Sequence, residues 1–361
     1  MPYEQFELKL SGDREVGFFA EVLHAPKLRR TDPAALDLPF EEIRHWRAAL
    51  NRHSVTNQAT LSLGTRLYEA LFDREIQRVW QSSLASVGAG GGLRLRLDIR
   101  SPELAGVPWE ILHDDFTYLA LTVTTPIVRC LSHHRPARVF DTRALPNVLV
   151  VTASPSNAPR LPHLETEVSS IVRSLSRFVE RGRLGSCEVL NHATRDTLQR
   201  GLSRANYDIV HFIGHGVFDG QNGHLELEDD NGRSDRVEAI TLGQLLTDTS
   251  VRLLFLNSCE TAVPSATERS RATAEASLVV GIPAVVAMSS VVMDSVAARF
   301  AQVFYETLVE ERSLEYCMTE ARKAITHHAC AYWAIPVLFT NALDIAPPAQ
   351  QHPAVIIHQS S

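Results

Sequence analysis

The sequence predicts an α/β fold, a three-layer sandwich in which a mainly parallel β-sheet is flanked by helices. Two observations lead to this prediction. Short, continuously apolar segments alternate with helix-length segments through the second half of the chain, and such strands are typical of parallel sheets that are buried on both faces. The chain also has 361 residues, 45% of them hydrophobic and 21% charged, which allows a large core and argues against disorder or a collagen-like repeat.

The sequence of the first half predicts strands near both of its ends, with helices between them. Apolar residues recur at nearly helical spacing within 61–84, and Leu93 to Ile99 alternate apolar and charged residues as a strand does. The glycine-rich run at 88–92 follows a helix and precedes a strand, the reverse of the order in a phosphate-binding loop, so we predict a flexible connector there. The predicted elements are a strand at 6–10, helices over 38–50 and 61–84, a strand at 93–99 and an apolar stretch over 118–128.

The sequence of the second half predicts a regular alternation of strands and helices. Thr194 is placed to cap one helix, and Asp230-Asn231-Gly232 is typical of a hairpin turn. The predicted strands cover 148–152, 188–190, 207–213, 251–257, 284–288 and 335–340, and the predicted helices cover 164–179, 195–205, 242–246, 273–280, 296–309 and 314–325.

Charge divides the chain near residue 145. Residues 1–145 carry 18 Lys/Arg and 18 Asp/Glu, whereas residues 146–361 carry 17 and 24 and account for the whole net charge of −7. We therefore expect a supporting half over 1–145, a catalytic half over 146–345 and a flexible tail over 346–361. The acidic excess and the lack of a basic stripe disfavour nucleic acid as a partner.

Several classes of protein and of site are not expected. The longest stretch without charged or strongly polar residues, Leu278–Met288, has 11 residues, too few to span a membrane. The N-terminus lacks a basic start followed by an apolar core, so we expect no signal peptide and a cytoplasmic location. The five cysteines form no C-x-x-C pair, and the adjacent histidines at 133–134 and 327–328 diverge on one element. Disulfides, a metal and any other cofactor are therefore not expected.

Two of the most apolar predicted strands end in reactive residues. The strand at 207–213 leads to His215 and Gly216, and the strand at 251–257 leads to Cys259. In open α/β sheets, ligands bind at the carboxyl ends of parallel strands. The separation of 44 positions from His215 to Cys259 leaves room for one hairpin and one helix, so the two strands are expected to be neighbours. The pattern therefore predicts an imidazole and a thiol at one edge of the sheet.

An imidazole beside a thiol suits acyl transfer. The imidazole deprotonates the thiol and later protonates the leaving amine, while the thiolate attacks a carbonyl carbon. Gly216 lacks a Cβ, so a substrate carbonyl can approach its backbone N–H, which would form an oxyanion hole with the N–H of Cys259. The alternative interpretation is that Cys259 and His215 are packed core residues, as we expect for His211. The other four cysteines are expected to be packing or surface residues.

Six segments carry a resemblance to a known family. The sequence resembles the CHAT family of caspase-like cysteine peptidases of clan CD, and the two segments in the first half resemble the part that precedes the catalytic region in that family. These segments are LRLRLDIRSPELAGVPWEILHD at 93–114, IVRCL at 127–131, VHFIGHGVFD at 210–219, LLFLNSCETA at 253–262, GIPAVVAMSS at 281–290 and YWAIPVLFTNA at 332–342.

The resemblance implies a caspase-like fold with an N-terminal, pseudo-caspase-like supporting half, and peptide hydrolysis by a Cys–His dyad without a cofactor. His215 would be the general base and acid, Cys259 the nucleophile, and Gly216 and Cys259 the oxyanion donors. The cysteine stands in Asn-Ser-Cys-Glu-Thr rather than in the Gln-Ala-Cys pattern of true caspases. A preference for Asp before the cut is therefore not expected.

Three residues near the expected peptide path are candidates for substrate binding: Asp219, Ser289 and Asp294. Where many CHAT members have a Leu-Trp segment after the next strand, this chain has Met288-Ser289-Ser290. Either aspartate would attract a basic side chain that precedes the cut bond. The alternatives are a turn role for Asp219 and a helix N-cap role for Asp294.

We therefore expect a cysteine endopeptidase that cleaves a specific protein or peptide partner under the control of an upstream activator, with no membrane contact and with homo-oligomerisation left open. The resemblance implies a role in bacterial antiphage defence or programmed cell death, with a gasdermin-like pore former as a candidate substrate. The alternative is a catalytically silent caspase-like scaffold in signalling. The presence of both His215 and Cys259 favours the enzyme.

Overall fold

The computed structural model describes residues 2–27, 30–130, 145–161, 164–218, 223–258, 281–310, 312–328 and 330–340. In this part of the chain, thirteen strands form one mixed, mainly parallel sheet, and helices cover both of its faces. The predicted α/β fold is confirmed. No helix among these residues is long and apolar enough to cross a membrane.

The first half follows the predicted order with one correction. The single helix predicted over 61–84 is wrong, since two helices occupy this stretch. Asp73 adopts an extended conformation between them, and its carboxylate accepts hydrogen bonds from the backbone N–H groups of Glu75 and Ile76, which starts a new helix. The elements are β1 (Tyr3–Asp13), β2 (Gly17–His24), β3 (Ala34–Ala35), α1 (Phe40–Asn51), α2 (Asn57–Leu71), α3 (Arg74–Leu84), β4 (Gly92–Ile99), α4 (Pro102–Ala105) and β5 (Ile127–Cys130).

The second half alternates strands and helices as predicted. Thr194 caps a helix, because its hydroxyl accepts the N–H of Thr197 and the Thr197 hydroxyl accepts the N–H of Thr194, a capping box. The helix predicted over 273–280 lies outside the described residues. The elements are β6 (Asn147–Thr152), α5 (Leu164–Glu180), β7 (Ser186–Leu190), α6 (Arg195–Arg204), β8 (Ile209–Phe218), β9 (Gly223–Glu228), β10 (Ser234–Glu238), α7 (Ala239–Leu246), β11 (Leu253–Ser258), β12 (Ala284–Met288), α8 (Asp294–Leu308), α9 (Leu314–Lys323) and β13 (Pro336–Thr340).

The order of strands across the sheet is β7-β6-β8-β11-β12-β13-β5-β4-β1-β2-β3. Neighbours from β7 to β12 are parallel, so the carboxyl ends of these strands lie at one edge. β13 runs antiparallel to β12 and pairs with β5 through Phe339 and Arg129. This pairing joins the strands of the second half to those of the first. The outer part of β8 extends past the edge and pairs with the β9–β10 hairpin.

Alternation along the strands divides the apolar side chains between two cores. Ile209 and Ile213 of β8 belong to a large core that also takes in α5, α8 and the helices of the first half. Val210 and Phe212, which point the other way, belong to a smaller core with α6 and α7. The large core contains residues from both halves of the chain, so the two halves share one buried face of the sheet.

The Pro-Trp-Glu motif has a structural role beside the junction of the two halves. Trp109 is fully buried, and Glu110 forms two hydrogen bonds to the guanidinium of Arg129 on β5, at 2.6 and 3.0 Å. The same guanidinium donates to the carbonyls of Ala105 and Val107, at 2.8 and 3.1 Å. A buried charge pair is stable only when its remaining hydrogen bonds are made. The motif therefore fixes the segment after β4 against β5, next to β13.

Candidate catalytic site

The carboxyl ends of β8 and β11 meet at the edge predicted from the sequence. Leu253 lies opposite Ile209, and the register continues in step until Ser258 lies opposite Gly214. The next residue of β8 is His215. The next residue after β11 in the sequence is Cys259, which lies outside the described residues, as does Asp219.

His215 is held in one orientation by a backbone carbonyl. The side chain is only 3% exposed, and its Nε2 lies 2.8 Å from the carbonyl oxygen of Pro159, in the segment between β6 and α5. A carbonyl oxygen only accepts hydrogen bonds, so Nε2 carries the hydrogen and, in the neutral ring, Nδ1 keeps the basic lone pair. No sequence pattern points to Pro159, because the group that acts is a main-chain oxygen. The ring is therefore oriented and its tautomer fixed.

Gly216 follows His215 on the same strand. It is buried and lies opposite Leu225 of the β9 strand. Since β8 runs without a break from Ile209 to Phe218, the pleat continues through Gly214, and His211 and His215 point to the same face. The predicted glycine thus lies at the predicted edge, one residue beyond the imidazole.

His211 has the packing role predicted for it. It is fully buried, its Nδ1 lies 2.8 Å from the hydroxyl of Tyr305, and its ring stacks on Phe255 at a centroid distance of 4.4 Å. Burial lowers the pKa of His211 to about 3, so the ring is neutral at ordinary pH. It packs against Phe255 and Tyr305, which both belong to the large core.

Ser289 and Asp294 lie after β12, near the same edge. Both the backbone N–H and the hydroxyl of Ser289 donate to the carbonyl of Ile335, at 2.9 and 2.8 Å. The N-cap role considered for Asp294 is wrong: Met293 is the N-cap of α8, no side chain caps this helix, and Asp294 is its first residue. The side chain of Asp294 is thus not used to cap the helix, and its charge acts on a neighbouring group.

That neighbouring group is Glu167, which the sequence analysis missed. Glu167 lies in the first turn of α5, is 5% exposed, and accepts a hydrogen bond from the side-chain amide of Asn257 on β11. Burial, and to a smaller extent the negative charge of Asp294, together raise the pKa of Glu167 to about 8. A signal for Glu167 did exist in the sequence, because it falls on the same helical stripe as the buried Ile171 and Leu175.

The amide of Asn257 is only partly satisfied. Its Nδ2 donates to Glu167, but its Oδ1 is buried and has no hydrogen-bond partner among the described residues. Buried polar atoms are nearly always paired in native structures, so an exception calls for an explanation. Asn257 stands two residues before Cys259 in the sequence.

The described residues contain no group of histidine, cysteine or carboxylate side chains that could hold a metal ion. His327 and His328 contact each other, with ring centroids 4.2 Å apart. His133 and His134 lie outside the described residues. The four described cysteines are free, and Cys130, Cys317 and Cys330 are buried.

Comparison with known proteins identifies the family. The sequence profile of the CHAT domain matches residues 61–341. The chain belongs to the CHAT domain family. No curated protein matches this CHAT chain.

Solved structures similar to this CHAT protein have caspase-like folds. A chain of the Saccharomyces cerevisiae separase–securin complex is similar over 94% of this chain and 30% of its own length, with a TM-score of 0.56 and 11% identity. A second structure of that complex is similar over 76% of this chain and 18% of its own length, with a TM-score of 0.46 and 15% identity. The Arg-specific cysteine proteinase gingipain R is similar over 81% of this chain and 68% of its own length, with a TM-score of 0.46 and 13% identity.

The present chain therefore spans less than a third of the separase–securin chains that it matches. At such identities the likeness concerns the fold alone. The fold of this CHAT protein is that of caspase-like cysteine peptidases, as the motifs implied.

Proposed function

We propose that this CHAT protein is a cysteine endopeptidase in which Cys259 is the nucleophile and His215 the general base and acid. The observation that carries the proposal is the geometry of His215, which is buried at the carboxyl end of β8 with Nε2 fixed by the Pro159 carbonyl. Ser258 lies opposite Gly214. Continuing this register by one residue would bring the thiol of Cys259 towards Nδ1 of His215.

The proposed reaction begins when Nδ1 of His215 takes the proton of the Cys259 thiol and the thiolate adds to the carbonyl carbon of the scissile peptide bond. The backbone N–H groups of Gly216 and Cys259 would stabilise the oxyanion that forms. The imidazolium then gives its proton to the leaving amine as the C–N bond breaks, and the acyl group remains on sulfur as a thioester. A water molecule, deprotonated by the same imidazole, hydrolyses the thioester and restores the thiol.

The Pro159 carbonyl assists the proton transfers in this scheme. The hydrogen bond from Nε2–H to this carbonyl keeps Nδ1 facing one direction throughout the reaction. The fixed ring also avoids the entropy cost of orienting an imidazole at each turnover.

The proposal extends to the substrate and its setting. We infer a protein substrate, an activator, a supporting half over 1–145 and a catalytic half over 146–345, with Asp219, Ser289 and Asp294 close to the bound peptide. A gasdermin-like effector is the first candidate substrate, and a cytoplasmic role in defence or cell death is the setting that the family resemblance favours.

Peptide cleavage tests the proposal. We expect the wild-type protein to cleave members of a diverse peptide library, and Cys259→Ala and His215→Ala to lose at least about 100-fold in rate because each removes one partner of the dyad. Cys187→Ala is the matched control, since Cys187 is a free, half-buried cysteine on β7, and it should cleave at the wild-type rate.

The same experiment can favour the silent scaffold instead. Cleavage that survives in Cys259→Ala would reject the dyad. A wild-type protein that cleaves nothing, and whose Cys259 is not labelled by a peptidyl acyloxymethyl ketone, would leave the interaction module as the better description.

A further inference from the structure

Glu167 is a buried carboxyl group that forms no ion pair with a cation in the described part of the chain. It is 5% exposed, and the hydrogen bond that it accepts from a described residue comes from the neutral amide of Asn257. The charge that acts on it among the described residues is the negative charge of Asp294. A buried carboxylate is costly unless it is paired with a positive group. The interior of the protein thus keeps an acid in a place where nothing described compensates it.

The position of this acid relative to the proposed dyad is specific. Asn257 of β11 lies opposite Ile213 of β8. Because side chains alternate along a strand, His215 points to the same face as Ile213, two residues further along. Asn257 also precedes Cys259 by two residues. Glu167 and Asn257 therefore lie on the face of the sheet towards which His215 points.

Around Glu167 and Asn257, hydrogen-bond acceptors outnumber hydrogen-bond donors. Glu167 offers carboxyl oxygens, and the Oδ1 of Asn257 is buried and accepts no hydrogen bond from the residues that the structure describes. Asp294, at the start of α8, adds a second negative charge. The complement of such a set is a cation with several N–H donors, and a guanidinium or an ammonium group meets that description.

We propose that Glu167 and Asn257, with Asp294 beside them, form the pocket that binds a basic side chain, arginine first and lysine second, at the residue preceding the bond that is cut. This inference rests on the proposed peptidase function. The bound guanidinium would pair with the Glu167 carboxylate and donate to Asn257 Oδ1, so that the unpartnered oxygen and the uncompensated acid are explained by one ligand. The raised pKa of Glu167 agrees with this role, because without a bound cation the carboxyl group keeps its proton.

The competing explanation is structural. Glu167 bonds to Asn257 and so braces the end of β11 just before the nucleophile. In that case, replacing Glu167 would lower the cleavage of every substrate to the same degree. A role in specificity would lower the cleavage of basic substrates alone.

The first experiment uses fluorogenic peptides that differ at a single residue, with arginine, lysine or citrulline before the cut. Citrulline has nearly the shape of arginine and no charge. We expect the wild-type kcat/KM for arginine to exceed that for citrulline by at least about 100-fold, as for a desolvated charge pair. Glu167→Gln should lose most of this ratio while its kcat/KM for citrulline stays within about threefold of wild type.

Glu165→Gln is the matched control, since Glu165 lies on the same helix turn and is exposed. It should behave as wild type. A wild-type protein that prefers a neutral or acidic residue, or a Glu167→Gln variant that loses arginine and citrulline cleavage equally, would overturn the pocket while leaving the peptidase intact.

A second experiment does not depend on cleavage. Calorimetry on the full chain with Cys259→Ala measures binding of butylguanidinium, a probe whose only charge is its guanidinium, and of its neutral isostere butylurea. We expect butylguanidinium alone to bind, and to bind at least about 10-fold more weakly when Glu167→Gln is added but not when Glu165→Gln is added. Butylguanidinium binding without cleavage would reject the peptidase and keep the pocket, whereas equal affinity for the two probes would reject the pocket.

Discussion

At the scale of single residues, Glu167 is an acid on the apolar stripe of a helix. Ile171 and Leu175 of α5 point into the large core, and Glu167 lies one turn before them on the same stripe. Desolvation is the main cause of its raised pKa. Such a residue lowers the stability of the empty protein, and natural sites often show this trade of stability for function.

The pH dependence of stability tests the burial of Glu167. Its pKa is about 8 in the folded protein against a model value of 4.5, so between these pH values the unfolded chain releases a proton that the folded protein keeps. The free energy of unfolding therefore falls as pH rises from about 4.5 to 8, by at most about 3 kcal/mol at pH 7.

Glu167→Gln removes this titration, and we expect it to be more stable than wild type at pH 7 to 8 and nearly equal at pH 4.5. Urea unfolding at a series of pH values measures the difference, with Glu165→Gln as the control. Parallel pH curves for wild type and Glu167→Gln would show that this carboxyl group has an ordinary pKa.

The sequence predicted part of the candidate site for a physical reason. The rule that ligands gather at the carboxyl ends of parallel strands places His215 and Gly216 correctly, because it depends only on local apolar patterns. The contacts that complete the site are long-range: 90 residues separate Glu167 from Asn257, and 56 separate Pro159 from His215. No local pattern encodes such a pairing, and only the folded chain brings the two sides together.

At the scale of elements, periodicity predicted where apolar faces lie but not where one helix gives way to the next. α2 and α3 carry buried residues at similar spacing, and the pattern runs on through the break between them. Tyr68, Phe72 and Trp80 pack together across this break. The break depends on Asp73, whose capping bonds to Glu75 and Ile76 compete with helix continuation.

We expect Asp73→Ala to lower the free energy of unfolding by about 1 kcal/mol, because the two N–H groups at the start of α3 lose their acceptor. Urea unfolding measures the change. Arg74→Ala, at the exposed first position of the same helix, should change stability by less than about 0.5 kcal/mol. An Asp73→Ala protein as stable as wild type would mean that packing across the break, and not the cap, ends α2.

At the scale of the whole molecule, one sheet and one large core serve both halves. β5 and β13 share a single described residue pair, so the strands alone join the halves weakly. A buried ion pair adds to this junction. Arg94 of β4 lies 2.9 Å from Glu315 of α9, and the two side chains are 3% and 2% exposed.

The last prediction concerns this ion pair. Removing one partner of a buried pair leaves the other charge uncompensated, so we expect Arg94→Met to lower the free energy of unfolding by about 3 to 5 kcal/mol. The double variant Arg94→Met, Glu315→Met should recover most of that loss, since no lone charge remains. Arg44→Ala, which breaks the exposed pair with Glu41, should lower the free energy of unfolding by less than about 1 kcal/mol.

The Arg94–Glu315 pair spans the two halves, so each of its variants should still unfold in one cooperative transition. Urea unfolding, followed by tryptophan fluorescence and by circular dichroism, measures this. Two separate transitions in Arg94→Met, with the second at the wild-type midpoint, would show that the halves fold independently and that the shared core does not couple them.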